Sequence, residues 1–129
     1  MDVKEFLKKD EFAALLGIEL LEASNGRAKA KLDIKDKHLN AMNTVHGGAI
    51  FSLADLTFAA AANSYGTVAV AINVNISFLK AAKIGTLYAE ANETSKNSKI
   101  GSYNINITNS QGDLISCFQG MVYFKKEVF

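Results

Sequence analysis

Asp55 is the single charge in the sixteen-residue run from Ala49 to Ser64, which makes this carboxylate a candidate reactive group. Desolvation in such company disfavours the ionised form, raises the pKa and strips away competing water. Eight positions upstream, Gly47 and Gly48 open the same stretch. Glycines at a helix start leave the first backbone N–H groups uncovered, and with the helix dipole these suit a carbonyl oxygen acquiring negative charge. An imidazole and an amide, His46 and Asn40, stand just before them. A carboxylate, oxyanion donors and two polar side chains are the parts needed for attack on a polarised carbonyl.

The spacing has a further consequence. Eight helical residues separate Gly47 from Asp55, about 12 Å along the axis. A base and an oxyanion donor must both act within about 3 Å of groups at one carbon. One chain therefore cannot easily offer both to one substrate. If both act, the site forms between two subunits, and a twofold axis makes two equal sites, each with Gly47 from one protomer and Asp55 from the other. The pattern predicts a homodimer, and the apolar and small-residue faces of 67–78 suggest a dimer of dimers.

Other reactive residue types lack comparable company. Cys117 lies in an alternating stretch with nothing nearby to lower its pKa, and reads as packing. Two histidines and one cysteine form no cluster with metal-ligand spacing, so no metal site is expected, and His38 reads as a surface loop residue. Phosphate loop, dinucleotide fingerprint and serine elbow are all missing. A net charge of +1 offers no general pull toward nucleic acid or an anionic membrane. The sixteen-residue apolar run falls short of the roughly 20 residues a bilayer span requires. With 129 residues, 49% of them hydrophobic, and no apolar leader, the composition predicts one globular domain over 1–129 in a reducing, cytoplasmic setting.

The elements that must position these groups follow from periodicity. Asp2 to Leu16 reads as one amphipathic helix, capped by Asp2 and closed at Gly17, that packs on or lids the domain. Ile18 to Ile34 reads as two strands joined at Ser24-Asn25-Gly26. A polar loop, Lys35 to Thr44, leads to the apolar helix, and Gly66 ends it. From Thr67 to Phe78 the alternation is strict. It sets Val68, Val70, Ile72, Val74, Ile76 and Phe78 on one face, with Ala71 and Asn73 on the other. Strands at Thr86–Thr94, Ile100–Thr108 and Leu114–Phe124 complete a meander, with Gly101 and Gly120 marking bulges or close approaches and Gly120 a candidate for lining a ligand channel. A helix apolar on nearly every side must be enclosed, and a curved antiparallel sheet wrapped around it does so, which defines an α+β hotdog fold.

Asn40, His46-Gly47-Gly48, Phe51, Leu53-Ala54-Asp55 and the Asn63-Ser64-Tyr65-Gly66 ending together resemble the PaaI-like, phenylacetic-acid-degradation branch of the hotdog acyl-CoA thioesterases. The likeness continues through Val74 to Leu79 and covers about residues 15–125. It implies hydrolysis of an aryl-acyl or medium-chain acyl-CoA, with coenzyme A entering only as part of the substrate and no cofactor. Asp55 would attack the thioester or activate water, Gly47 would polarise the carbonyl, Asn40 would place the water or carboxylate, and His46 would steady the loop and the leaving-group side. Gly48 would support the carbonyl site, and Lys80, Lys96 and Lys99 are the candidates for the coenzyme A tail. The sequence departs from the pattern at Asn43, where glycine is usual, at Lys80-Ala81-Ala82, where a proline is common, and at Ala71, near where relatives carry a hydroxyl; Asn73 is the candidate substitute. The rival reading is a non-catalytic acyl-CoA-binding or regulatory module on the same fold.

Overall fold

A computed structural model describes all 129 residues. Two short helices, α1 (Val3–Leu7) and α2 (Glu11–Leu16), precede the hairpin β1 (Glu19–Ser24) and β2 (Arg27–Asp33). The long helix α3 (Gly47–Ala62) ends in a single tight turn over Asn63–Tyr65 and is followed by β3 (Thr67–Phe78), β4 (Thr86–Lys96), β5 (Ile100–Asn109) and β6 (Leu114–Val128). The six strands form one antiparallel sheet in the order β1-β2-β4-β5-β6-β3, with β3 at an edge. α3 lies in its concavity. Leu53, Ala54, Phe58 and Ala60 to Ala62 pack on Leu32, Leu87, Ile105, Ile107 and Phe118 in one continuous core. The alanines on both sides let helix and sheet approach closely. This is the hotdog arrangement expected from the pattern.

The β1–β2 turn is the predicted type: Asn25 and Gly26 both hold positive φ, 51° and 77°, as a two-residue hairpin loop of this hand requires. Four expectations need correction. First, the N-terminal segment is two helices, because Asp10 acts as a second N-cap, accepting from Ala13 N–H at 2.9 Å as Asp2 does from Glu5 N–H at 2.8 Å. Second, the alternation of β3 is broken by a bulge between Ala71 and Asn73. Ala71 lies opposite buried Val122, whereas Asn73 lies opposite exposed Met121, so the two residues face opposite sides of the sheet. Third, the core side of Gly120 is closed rather than open as a channel, although its backbone borders a hollow on the outer face of the sheet. A Cβ there would sit 2.6 Å from the Phe58 ring, so the glycine exists to admit that ring into the core.

Fourth, α3 is not enclosed all round. Gly48 and Asp55 are exposed and Phe51, Ser52 and Ala59 half-buried, forming a stripe at helical spacing that faces away from the sheet. Asp55 therefore stands at the surface of this single chain.

Candidate active site

The loop before α3 is built to hold its first turn still. His38, expected at the surface, is 2% exposed. Its Nδ1 accepts from Lys35 N–H at 2.8 Å and its Nε2 donates to Leu16 O at 2.7 Å, joining the loop to the end of α2. Those two bonds define the neutral Nε2–H tautomer. His38 O in turn accepts from His46 N–H at 2.7 Å, and Ala82 O accepts from Val45 N–H at 2.8 Å. Asn40 organises the intervening turn: its Oδ1 accepts from the N–H groups of Met42 and Thr44 at 2.9 and 3.2 Å, and its Nδ2 donates to Thr44 Oγ1 at 3.0 Å. The second Nδ2 hydrogen has no such use. Asn43 holds φ 61°, the left-handed conformation that glycine adopts without strain and that asparagine tolerates better than most residues.

His46 is the N-cap of α3. Its Nδ1 accepts from Gly48 N–H at 2.8 Å. Of the two N–H groups expected to be uncovered, that of Gly48 is therefore consumed, and only that of Gly47 donates to no acceptor in the chain. Gly48 N–H is thus a capping donor in this chain. Gly47 lines a hollow together with Asn40, Ile50, Phe78 and Lys80. Phe78 lies close over Gly47; an added Cβ would meet its ring at 3.3 Å.

Asp55 opens into a different hollow, lined by Asp10, Phe12, Ala13, Ile18, Phe51, Ser52 and Leu56. Partial burial among these groups pushes its carboxyl above the usual range, and the negative charge of Asp10 pushes the same way. The expected direction is thus present even though the residue is surface-accessible, because the apolar groups behind it withhold solvent on one side. Asp10, Phe12 and Ile18 went unnoticed as site residues in the sequence. Their only local signal was the Asp10 N-cap pattern, which says nothing about Asp55, 45 positions away.

The remaining candidates separate. Lys80 reaches the Gly47 hollow, and its Nζ pairs with Asp113 Oδ2 at 2.9 Å, which holds the Asp113 carboxyl below its ordinary pKa. Lys96 stands at the opposite end of α3, its ammonium between the rings of Tyr65 and Phe124 at 4.8 and 4.6 Å from the centroids. In this chain that charge is engaged by the two rings. Lys99 lies in the β4–β5 turn with no acidic partner. Asn73 belongs to the outer face of the sheet, with Asn75, Asn104 and Gln119, and to neither hollow. No group of three or more His, Cys, Asp or Glu side chains is arranged to hold a metal ion. No helix is long and apolar enough to cross a membrane.

An antiparallel sheet around one apolar helix, with an unpaired N–H at the helix start and a carboxylate two turns along, is the frame of a hotdog hydrolase. Residues 42–116 match the model of the thioesterase superfamily, and the chain belongs to that family. It is 45% identical over 98% of its length, and 84% of the other chain, to a protein of Archaeoglobus fulgidus provisionally named an esterase. It is 37% identical to the acyl-coenzyme A thioesterase PaaI of Escherichia coli, over 88% of this chain and 81% of that one. The solved structure of E. coli PaaI superposes with a TM-score of 0.92, covering 96% of this chain and 91% of that one at 34% identity. The protein is a PaaI-like hotdog thioesterase.

Proposed function

We propose that the protein hydrolyses acyl-CoA thioesters to free acid and coenzyme A at a site shared by two copies. Gly47 N–H of one copy polarises the thioester carbonyl, and Asp55 of the other acts on its carbon, directly or through water. The observation that carries the reading is that Gly47 and Asp55 open into two separate hollows of one chain, although neither suffices alone. The name of the E. coli relative, an acyl-coenzyme A thioesterase, supports the substrate class and disfavours the non-catalytic module.

The edge strand supports the twofold. β3 runs twelve residues with one side unpaired and with Val70, Ile72 and Val74 exposed, the kind of edge that proteins leave open only to pair it. Antiparallel pairing of two such edges brings the Thr67 end of one copy beside the Phe78 end of the other. The midpoint between positions 47 and 55 is Phe51, which places that residue at the dyad. Lys80 of one copy and Lys99 of the other are then the candidates for the phosphates of coenzyme A. Asn40 and His46 act by positioning: Asn40 shapes the hollow and can donate its free N–H there, and His46 holds the first helical turn. A single domain over 1–129, a cytoplasmic setting and assembly as a dimer of dimers complete the proposal.

A thiol-release assay over a panel of acyl-CoAs tests the activity. The shared site is tested by mixing Asp55→Ala with Asn40→Ala. After 1:1 subunit exchange, half the dimers are mixed and each regains one intact site, or roughly a quarter of wild-type activity. No recovery despite verified exchange means that one chain holds the whole site.

A further inference from the structure

The hollow beside Asp55 does not end there. Its lining residues Asp10, Ala13, Ile18 and Leu56 also line a second hollow that continues beneath α1 and α2 to Leu7, Ala14 and Leu20. The two measure about 240 and 300 Å³. The two adjoin between the N-terminal helices and α3 and share those four residues; the walls are largely apolar, with Lys4, Lys8 and Glu19 in the far hollow. At the mouth of the near hollow, Phe12 is 60% exposed, a large apolar side chain with an unused face.

Resting on the reading of Asp55 as the reactive carboxylate, we propose that the two hollows act as one groove that receives the acyl group, so that α1 and α2 set which acyl chains are cleaved. The charge at the mouth selects the end of the substrate that enters. Asp10 and Asp55 both stand there, so a phosphate-bearing coenzyme A moiety is repelled and an uncharged acyl chain is not. The thioester carbon then rests at Asp55. An aryl or short chain fills the part between Phe12, Phe51 and Leu56, and a medium chain runs on past Ala13 to Leu7 and Leu20. Burying each further methylene adds binding energy until the groove ends, which makes chain length the selected property.

The chain contains no tryptophan, so Phe12→Trp installs a single tryptophan at the mouth, which can be excited apart from the tyrosines. S-octyl-CoA, a thioether that cannot be hydrolysed, is expected to shift its emission to the blue, and coenzyme A alone is not. Calorimetric saturation by the thioether without any shift overturns the groove as the acyl site; absence of any thioether binding overturns it together with the thioesterase reading. In a second variant, Ala14→Trp, placed on an exposed position of the far groove, the octanoyl-to-acetyl ratio of kcat/KM is expected to fall at least tenfold. A ratio that stays constant overturns the proposal. Full activity in Asp55→Asn with the blue shift intact overturns the role of Asp55 while leaving a thioether-binding groove, so the two failures are distinct.

Discussion

At the C-terminal end of α3 the polar groups are spoken for, whereas at its N-terminal end one N–H is left without an acceptor. Asn63, 3% exposed, donates to Ala59 O at 2.8 Å and accepts from Ala69 N–H at 2.9 Å. Ser64 donates to Ala61 O at 2.7 Å and accepts from Gly26 N–H at 2.8 Å. Tyr65 and buried Tyr103 both donate to Glu93 Oε2 at 2.9 Å, and Lys96 lies over the Tyr65 ring. Desolvation, and after it hydrogen bonding to that carboxylate, raises both phenols, Tyr103 the more strongly. The far end joins the hairpin, β3, β4 and β5 to the helix. The near end, by contrast, fastens its loop firmly but stops short of satisfying Gly47. The difference teaches how the two ends diverge: hydrogen-bonding capacity is used up in the one that anchors the fold and kept in reserve in the one proposed to meet the ligand.

The largest effect expected lies outside the anchored end, at Asp55 in the middle of α3. Asp55→Asn keeps the shape and removes the base, so kcat should fall about 10²–10⁴-fold while Tm stays level or rises, because a carboxylate with a raised pKa opposes folding when ionised. A variant with a lower Tm and a proportionate loss of activity breaks the comparison. At the anchored end, Asn63→Ala leaves Ala59 O and Ala69 N–H without their side-chain partner, and urea unfolding should register a loss of about 2–3 kcal/mol, with kcat per folded molecule retained. Equal damage to kcat would mean that the two ends are not separable. A smaller effect separates packing from binding. Lys96→Met should cost about 0.5–1 kcal/mol of stability and leave KM for acyl-CoA in place; a KM rise would return Lys96 to the phosphate site.

The subtlest test is titration. Asp55 must be ionised to act, so kcat/KM should fall as pH drops through a pKa above the ordinary aspartate value of about 3.9. Asp10→Asn removes the one other charged residue of that hollow and still caps α2, so it should carry the acid limb to lower pH. An acid limb that does not move assigns the shift to desolvation alone.

Much of the candidate site was legible because its signals are local. One charge in an apolar run, glycines at a helix start and an asparagine before them are neighbours in the chain, and eight residues of helix translate directly into a distance. His38 shows where such reading stops. In a polar loop it looks solvated, yet it is buried because the end of α2, twenty-two positions away, supplies the carbonyl for its Nε2. Asn73 shows a second limit. The alternation of Thr67 to Phe78 is regular in sequence, and the extra residue that reverses its faces is visible only against the register of β6.

The sequence by itself determined the elements, the apolar helix, the hairpin turn at Asn25-Gly26 and the separation of Gly47 from Asp55, since periodicity and helical rise are properties of a single segment. Only the tertiary structure decided which N–H stays free, that Asp10 and Phe12 stand beside Asp55, and that one stripe of α3 lies open. Those outcomes depend on which distant groups reach each donor and each surface first, and that competition is settled between segments, after the chain has closed on itself.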